Sequence, residues 1–165
     1  MNVIMLDIDG VLNSVSSTVA YHALGRSNEH PQRLDLSAIG LLKRLCDKTE
    51  AKIVISSTWR IGRTVEDMIE IFKGYGWDAP IIGLTGRGGY GSCRGDEIQE
   101  WLDSQTNVHN YVILDDDSDM LESQSDHFVH CMNLYGFRVH ELCAALSILG
   151  HRDKDLEDHI DFFYK

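Results

Sequence analysis

Apolar positions along this chain follow two rhythms. Short unbroken runs, Val3-Ile4-Met5-Leu6, Ile53-Val54-Ile55 and Tyr111-Val112-Ile113-Leu114, each lead into polar or acidic residues. Runs of this length suit strands buried on both faces, the usual state of parallel strands inside a sheet. Elsewhere apolar residues recur at three- and four-residue spacings, as Ile98, Trp101 and Leu102 do, which places a stripe along one side of a helix. The pattern predicts strand 2–7, an irregular stretch 13–34, helix 36–48 opened by Asp35 or Ser37, strand 52–56, and a helix of about 64–74 with Thr64 and Asp67 as its capping box. A short strand at 81–84 precedes a glycine-rich loop, 83–95, and helix 96–104. Strand 110–115, a short helix near 118–124, strand 128–132 and helices 138–149 and 153–163 complete the series. Strands alternating with helices imply βαβ units, hence a parallel sheet with helices on both faces.

Composition narrows the class. A chain of 165 residues suits one domain, large enough to bury roughly two thirds of the surface its unfolded form exposes. Its 43% hydrophobic and 25% charged residues are ordinary for a globular protein. No segment is long or apolar enough to span a bilayer, and Asp7 and Asp9 interrupt what would have to be the apolar core of a signal peptide. A soluble, cytoplasmic protein with no membrane role is the expectation. The net charge of −11 repels polyanions at long range, so stable binding to a nucleic-acid duplex is not expected. Four cysteines show neither Cys-x-x-Cys pairing nor zinc-ligand spacing. Cys46 and Cys143 fall in apolar helical patterns and Cys131 in a strand pattern, where free cysteine acts as a small hydrophobe.

Candidate chemistry gathers where the strands end. Asp7 and Asp9 follow the first apolar run and precede Gly10, the end of a parallel strand at which open α/β sheets place their ligands. Two acids this close repel, so a site that keeps both holds a cation or shares a proton. Oxygen donors of this kind suit Mg²⁺, which keeps several waters and leaves room for a phosphate. With the charge screened, Asp7 could attack phosphorus as a carboxylate nucleophile, and Asp9 could protonate the leaving oxygen and later deprotonate water. The same Asp-x-Asp-Gly spacing also suits a plain turn or a calcium loop.

Three further segments repeat the arrangement. Ser56-Ser57-Thr58-Trp59-Arg60 follows the second strand, where hydroxyls, free N–H groups and an arginine can hold phosphoryl oxygens, although a polar helix cap reads the same way. Arg94 stands just before a helix whose first turn carries Asp96 and Glu97. A solvated charge is the plain alternative there. Tyr111–Leu114 delivers Asp115, Asp116, Asp117 and Asp119 to the end of a strand.

Taken in order, these four segments resemble the motifs of the haloacid dehalogenase (HAD) superfamily. Asp7-Ile8-Asp9-Gly10-Val11-Leu12-Asn13 is similar to motif I, whose phosphatase members use the first Asp as nucleophile and the second as acid/base. Ser56 takes the motif II position, with Ser57 and Arg60 as neighbouring phosphate contacts, in a Ser-Ser-x-Trp-Arg variant similar to HAD domains of nucleic-acid repair proteins. Arg94 takes motif III, steadying nucleophile and phosphate. Asp115 and Asp116 take motif IV and, with Asp7 and Asp9, complete the Mg²⁺ site, while Asp119 is the reserve for the second motif IV acid and Asp117 a cap or solvated acid. The resemblance covers nearly the whole chain. It implies a single HAD-like domain over 1–165, a Rossmann-like three-layer α/β sandwich with a central parallel sheet.

HAD enzymes enclose small substrates under a cap domain inserted after motif I or between motifs II and III. Here residues 13–34 leave room for a short flap or minimal cap, and the second gap is too short for a domain. An open site is implied, as in the phosphatase half of polynucleotide kinase/phosphatases. Arg60, Arg63, Arg87 and Arg94 could gather at its mouth, with Tyr90 of the mobile glycine-rich flap stacking on a nucleotide, and Arg26, His30 and Arg33 forming another rim. The resulting expectation is a Mg²⁺-dependent phosphatase acting through an aspartyl phosphate on a polynucleotide-end phosphate or a nucleotide. A small-molecule phosphatase and a weakly catalytic HAD-fold subunit of a repair complex are the competing expectations.

Overall fold

Five strands, β1 (Asn2–Leu6), β2 (Lys52–Ile55), β3 (Ile81–Leu84), β4 (Asn110–Asp115) and β5 (Phe128–His130), pair in parallel in the order β3-β2-β1-β4-β5. This computed structural model describes residues 1–25 and 33–163, the side chains of 161–163 excepted. Helices α1 (Val15–Ala23), α2 (Leu36–Thr49), α3 (Val65–Lys73), α4 (Arg94–Asp103), α5 (Val139–Ile148) and α6 (Lys154–Phe163) connect and flank the strands, with short 3₁₀ turns at Thr58–Arg60 and Glu122–His127. Among the described residues no helix is long and apolar enough to cross a membrane.

The period of a strand decides the layers. Ile4 and Leu6 of β1 point into the larger core, with Leu42 of α2, Phe72 of α3 and Leu142 of α5. Val3 and Met5 point the other way, onto Ile98 of α4 with Trp101 and Leu102 packed against it. Every residue from Val3 to Leu6 is fully buried, as a central strand covered on both sides requires. The three-layer α/β architecture read from the sequence is therefore the one observed. Strand order supplies the next constraint. The chain builds outward from β1 through β2 to β3, then returns to place β4 on the other side of β1. The crevice at this reversal, outside the carboxyl ends of β1 and β4, is where such sheets bind ligands.

Local chemistry opens the helices where the sequence indicates. Asp35 caps α2, accepting from the Ser37 N–H at 2.8 Å. Thr64 and Asp67 cap each other's backbone at the start of α3, at 2.8 and 3.2 Å. At the far end of the fold Asp153, buried ahead of α6, accepts two hydrogen bonds from Arg44 of α2, at 2.5 and 2.9 Å, and lies 3.3 Å from Lys48.

Four local expectations need correction. The stretch 13–34, read as irregular, contains α1, whose only buried residue is Ser17. With no inward apolar stripe, this helix rests on its Ser14–Ser17 capping box and on the backbone of 133–134, to which Val15 and Ser16 donate. The short helix near 118–124 is instead a 3₁₀ turn at Glu122–His127, because the preceding residues are drawn onto the start of α4. Asp119 accepts there from the backbone N–H of both Arg94 and Gly95, and buried Gln124 donates to the Gly95 carbonyl. That contact leaves no space for a Cβ at Gly95, which would meet Leu121 N and Gln124 Oε1. Helix α4 accordingly begins at Arg94, two residues before its expected start. Finally, Cys143 is exposed, whereas Cys46 and Cys131 are buried and burial raises both thiols above their ordinary range.

Candidate active site

Register brings the site together. Leu6 pairs with Ile55 on one side and Leu114 on the other, so Asp7, Ser56 and Asp115 emerge at one level from three adjacent strands. Asp7 continues the ladder by donating its N–H to the Leu114 carbonyl at 2.9 Å. The chain then turns at Gly10, with φ +77, and a Cβ there would overlap the carboxyl group of Asp116. Glycine is thus required twice at this position, for the left-handed backbone and for the approach of Asp116. Asp7, Asp115 and Asp116 each contribute a carboxylate oxygen to a group whose atoms all lie within 4.8 Å of one another.

Three acids at this distance resist ionising together. Burial, then the charge of Asp115, pushes Asp7 up to about 7, against the opposing effects of Arg94 and a Ser57 hydrogen bond. Burial likewise raises Asp115 to about 6, despite the Asp117 N–H and Arg94, and it raises Asp116 in the same direction. Arg94, the first residue of α4, stands between the two strand ends. Its Nη2 lies 3.7 Å from Asp7 Oδ1 and its Nε 3.7 Å from Asp115 Oδ2. Arg94 Nη1 and Asp115 Oδ2 are both buried and without a hydrogen-bond partner. A cluster of hard oxygen donors whose pKa values are raised by burial, with one buried oxygen that accepts no hydrogen bond, fits Mg²⁺, which one or two carboxylates and several waters usually hold.

Asp9 lies apart from this cluster. Its exposed carboxylate accepts from Asn13 Nδ2 at 2.8 Å and from Trp59 Nε1 at 2.9 Å, one donor for each oxygen. As a side-chain metal ligand it stands outside the three-acid group. Of the two candidates in the fourth segment, Asp116 lies in the three-acid group, whereas Asp119 Oδ2 accepts from the Arg94 N–H at the start of α4. Asp117 donates its backbone N–H to Asp115 Oδ1 at 3.0 Å, orienting that carboxylate. Ser57 faces Asp7, while the fully buried Ser56 hydroxyl has no partner.

Arg60 corrects the sequence reading. Read as a phosphate contact, it lies in the interior beneath the site. Its Nε donates to the Thr85 carbonyl, Nη1 to the Ser56 and Ser57 carbonyls, and Nη2 to the Gly86 carbonyl and Glu97, at 2.6 to 3.0 Å. A guanidinium has five N–H donors, so none remains for a ligand. Glu97, read only as a first-turn acid, turns out to be the hub of the nearby loops. It pairs with Arg60 at 2.6 Å, accepts from the Gly88 N–H at 3.0 Å, and lies 4.0 Å from Arg94. The glycine-rich loop is therefore tied down at Gly86 and Gly88, rather than hanging as a free flap, with Arg87 and Tyr90 exposed on it. Arg63 donates to the Trp59 carbonyl at 2.6 Å, and Arg33 lies over the Tyr21 ring at 4.7 Å. Arg26 and His30 fall outside the described residues.

Comparison with known proteins points in the same direction. The family described as the HAD domain in Swiss Army Knife RNA repair proteins matches residues 3–142, a span that takes in all four segments from Asp7 to Asp119. No curated protein and no solved structure matches the chain.

Proposed function

The chain belongs to the family of HAD domains found in Swiss Army Knife RNA repair proteins, and from that membership we propose that it is a Mg²⁺-dependent phosphomonoester hydrolase acting on the phosphate at an RNA end. Family membership supports a phosphatase-like role in RNA repair. The finer reading is carried by one observation: Arg94 stands 3.7 Å from both Asp7 and Asp115, and its buried Nη1 and the buried Asp115 Oδ2 each lack a hydrogen bond. A buried donor and a buried acceptor side by side, each with hydrogen-bonding capacity left over, suit a phosphoryl group and its cation.

In this reading an oxygen of Asp7 attacks phosphorus as the bond from phosphorus to the leaving oxygen breaks, and Asp9 gives its proton to that oxygen. Water then attacks the aspartyl phosphate, Asp9 takes a proton from it, and inorganic phosphate leaves with Asp7 restored. Arg94 and the Ser57 hydroxyl stabilise charge on the transferring oxygens. Mg²⁺, held by Asp7, Asp115 and Asp116, would offset the charge of the acids and of the phosphate when bound. Between Arg60 and Arg94 the chain is spent on α3, β3 and the loop into α4, which favours an open approach over an enclosed one and so favours an RNA end over a small ester.

The test is phosphate release, with and without Mg²⁺, from 3′- and 5′-phosphorylated oligoribonucleotides, mononucleotides and an aryl phosphate. Release from oligonucleotide ends at the highest kcat/KM is expected, and Asp7→Asn should abolish turnover while keeping the fold by circular dichroism. Turnover retained in that variant would refute the covalent route. Preference for mononucleotides or the aryl ester would move the substrate to small molecules.

A further inference from the structure

The three-acid cluster leaves Asp9 outside, yet Asp9 is the better-held carboxylate. Trp59 Nε1 donates to its Oδ2 at 2.9 Å and Asn13 Nδ2 to its Oδ1 at 2.8 Å. Neither donor is loosely mounted. The Asn13 side chain is itself fixed by the Gly10 N–H, which donates to its Oδ1 at 3.0 Å. Trp59 is buried in the 3₁₀ turn Thr58–Arg60, whose backbone is pinned by the Ser57 hydroxyl, by Arg63 at the Trp59 carbonyl, and by the five bonds of Arg60 beneath it. A buried ring thus sends its one polar atom outward to an exposed acid.

Indole N–H groups only donate, and an amide N–H cannot take up the proton of a carboxylic acid. Two such donors, one on each oxygen, fix the plane of the carboxyl without neutralising it and leave a lone pair on each oxygen for substrate or water. We propose that Trp59 and Asn13 are positioning residues, which aim Asp9 at the leaving oxygen in the first half of the reaction and at the attacking water in the second. This rests on the phosphatase reading above and deepens it. A general acid works only within hydrogen-bond reach of the atom it protonates, so loss of aim is felt where protonation is needed most. A leaving group that departs readily as an anion needs little help, whereas a ribose or alkyl oxygen needs the proton.

The test is therefore a leaving-group series: aryl phosphates of graded phenol acidity, a simple alkyl phosphate and a phosphorylated oligoribonucleotide. Values of kcat/KM are compared for the unaltered protein, Trp59→Phe, Asn13→Ala and Asp9→Asn. Trp59→Phe should lose about 10- to 100-fold with the alkyl and ribose esters and about 3-fold or less with the most acidic phenol. Asn13→Ala should show the same slope, and Asp9→Asn a steeper one. Asn13 touches the other oxygen and is not a core residue, so it carries the test alone if Trp59→Phe fails to fold. A uniform loss across the series would mean a merely structural role and would overturn the proposal, as would unchanged rates in both variants. Absence of Mg²⁺-dependent release from every ester by the unaltered protein would instead remove the phosphatase reading itself.

Discussion

Arg60 and Arg94 follow two strand ends of the same sheet, and their surroundings give them opposite tasks. Arg60 meets five acceptors, four of them backbone carbonyls of the loops after β2 and β3. Arg94 meets two carboxylates at 3.7 Å and keeps a buried N–H group that makes no hydrogen bond. Nothing in the local sequence separates them, because carbonyl acceptors carry no residue-type signature. The acids were legible for the contrary reason: a strand-length apolar run ending in carboxylates has few other uses. Replacing Arg60 by alanine strands Glu97 and several buried carbonyls, so unfolding free energy should fall by about 3–5 kcal/mol, measured by urea titration. Lysine, with three donors in place of a planar fork, should recover less than half of that loss. The acid cluster makes a prediction of opposite sign. Asp115 is raised to about 6 by burial, so ionising it at neutral pH in the metal-free protein costs stability, and Asp115→Asn removes that cost. The metal-free variant should melt about 2–4 °C higher than the unaltered protein at pH 7.5. Millimolar Mg²⁺ should raise the melting temperature of the unaltered protein and leave that of the variant nearly unmoved.

Elements were readable in proportion to how much apolar surface they bury. The strands and helices α2, α3 and α5 line the larger core, and their periodicity marked them within a few residues. Helix α1 buries only Ser17 and is sustained by its cap and by backbone contacts to 133–134, which periodicity does not register. The segment 118–124 reads as a helix in the sequence but forms no α-helix, because Asp119 and Gln124 serve the start of α4 instead. Gly95→Ala should show how tight that junction is. The added methyl meets Leu121 N and Gln124 Oε1, and a loss of about 1–3 kcal/mol is expected, together with a fall in activity, because Arg94 is the adjoining residue. The contact between α2 and α6 carries the fold's clearest pH dependence away from the site. Hydrogen bonds from Arg44, the largest effect, hold Asp153 down to about 2 against an ordinary value of 3.8. A depressed carboxyl contributes stability above its unfolded pKa and loses it as pH falls toward the folded one. Arg44 and Lys48 are both more than a third exposed, so solvent screening reduces the contribution to about 1 kcal/mol. Asp153→Asn should therefore be less stable than the unaltered protein at pH 6, and the gap should close between pH 4 and pH 2, as followed by urea midpoints.

At the scale of the whole molecule the difficulty is charge. A net of −11 surrounds a site that we propose takes a phosphate on a polyanion. Of the four arginines that the sequence offered as a basic mouth, Arg60 is committed internally and Arg94 faces the acids. The other two are Arg63, which bonds the Trp59 carbonyl, and the exposed Arg87. On the proposed reading, one terminal phosphate would be gripped inside a field that repels the rest of the strand. Ordinary nucleic-acid binders release counterions from the backbone they cover, so salt weakens them steeply. Here the long-range term has the other sign, and salt should help. Between about 10 mM and about 100 mM ionic strength the screening length falls from about 30 Å to about 10 Å, from roughly the size of the molecule to less than half of it. At fixed free Mg²⁺, KM for a phosphorylated oligoribonucleotide should fall or hold steady over that range, while KM for an aryl phosphate, with far less charge to repel, should barely change. The ratio of the two values isolates the field from effects on the chemistry. A KM for the oligonucleotide that climbs tenfold or more would show a basic track engaging its backbone, and the proposed mode of binding, one phosphate gripped at the end of an otherwise untouched strand, would be wrong.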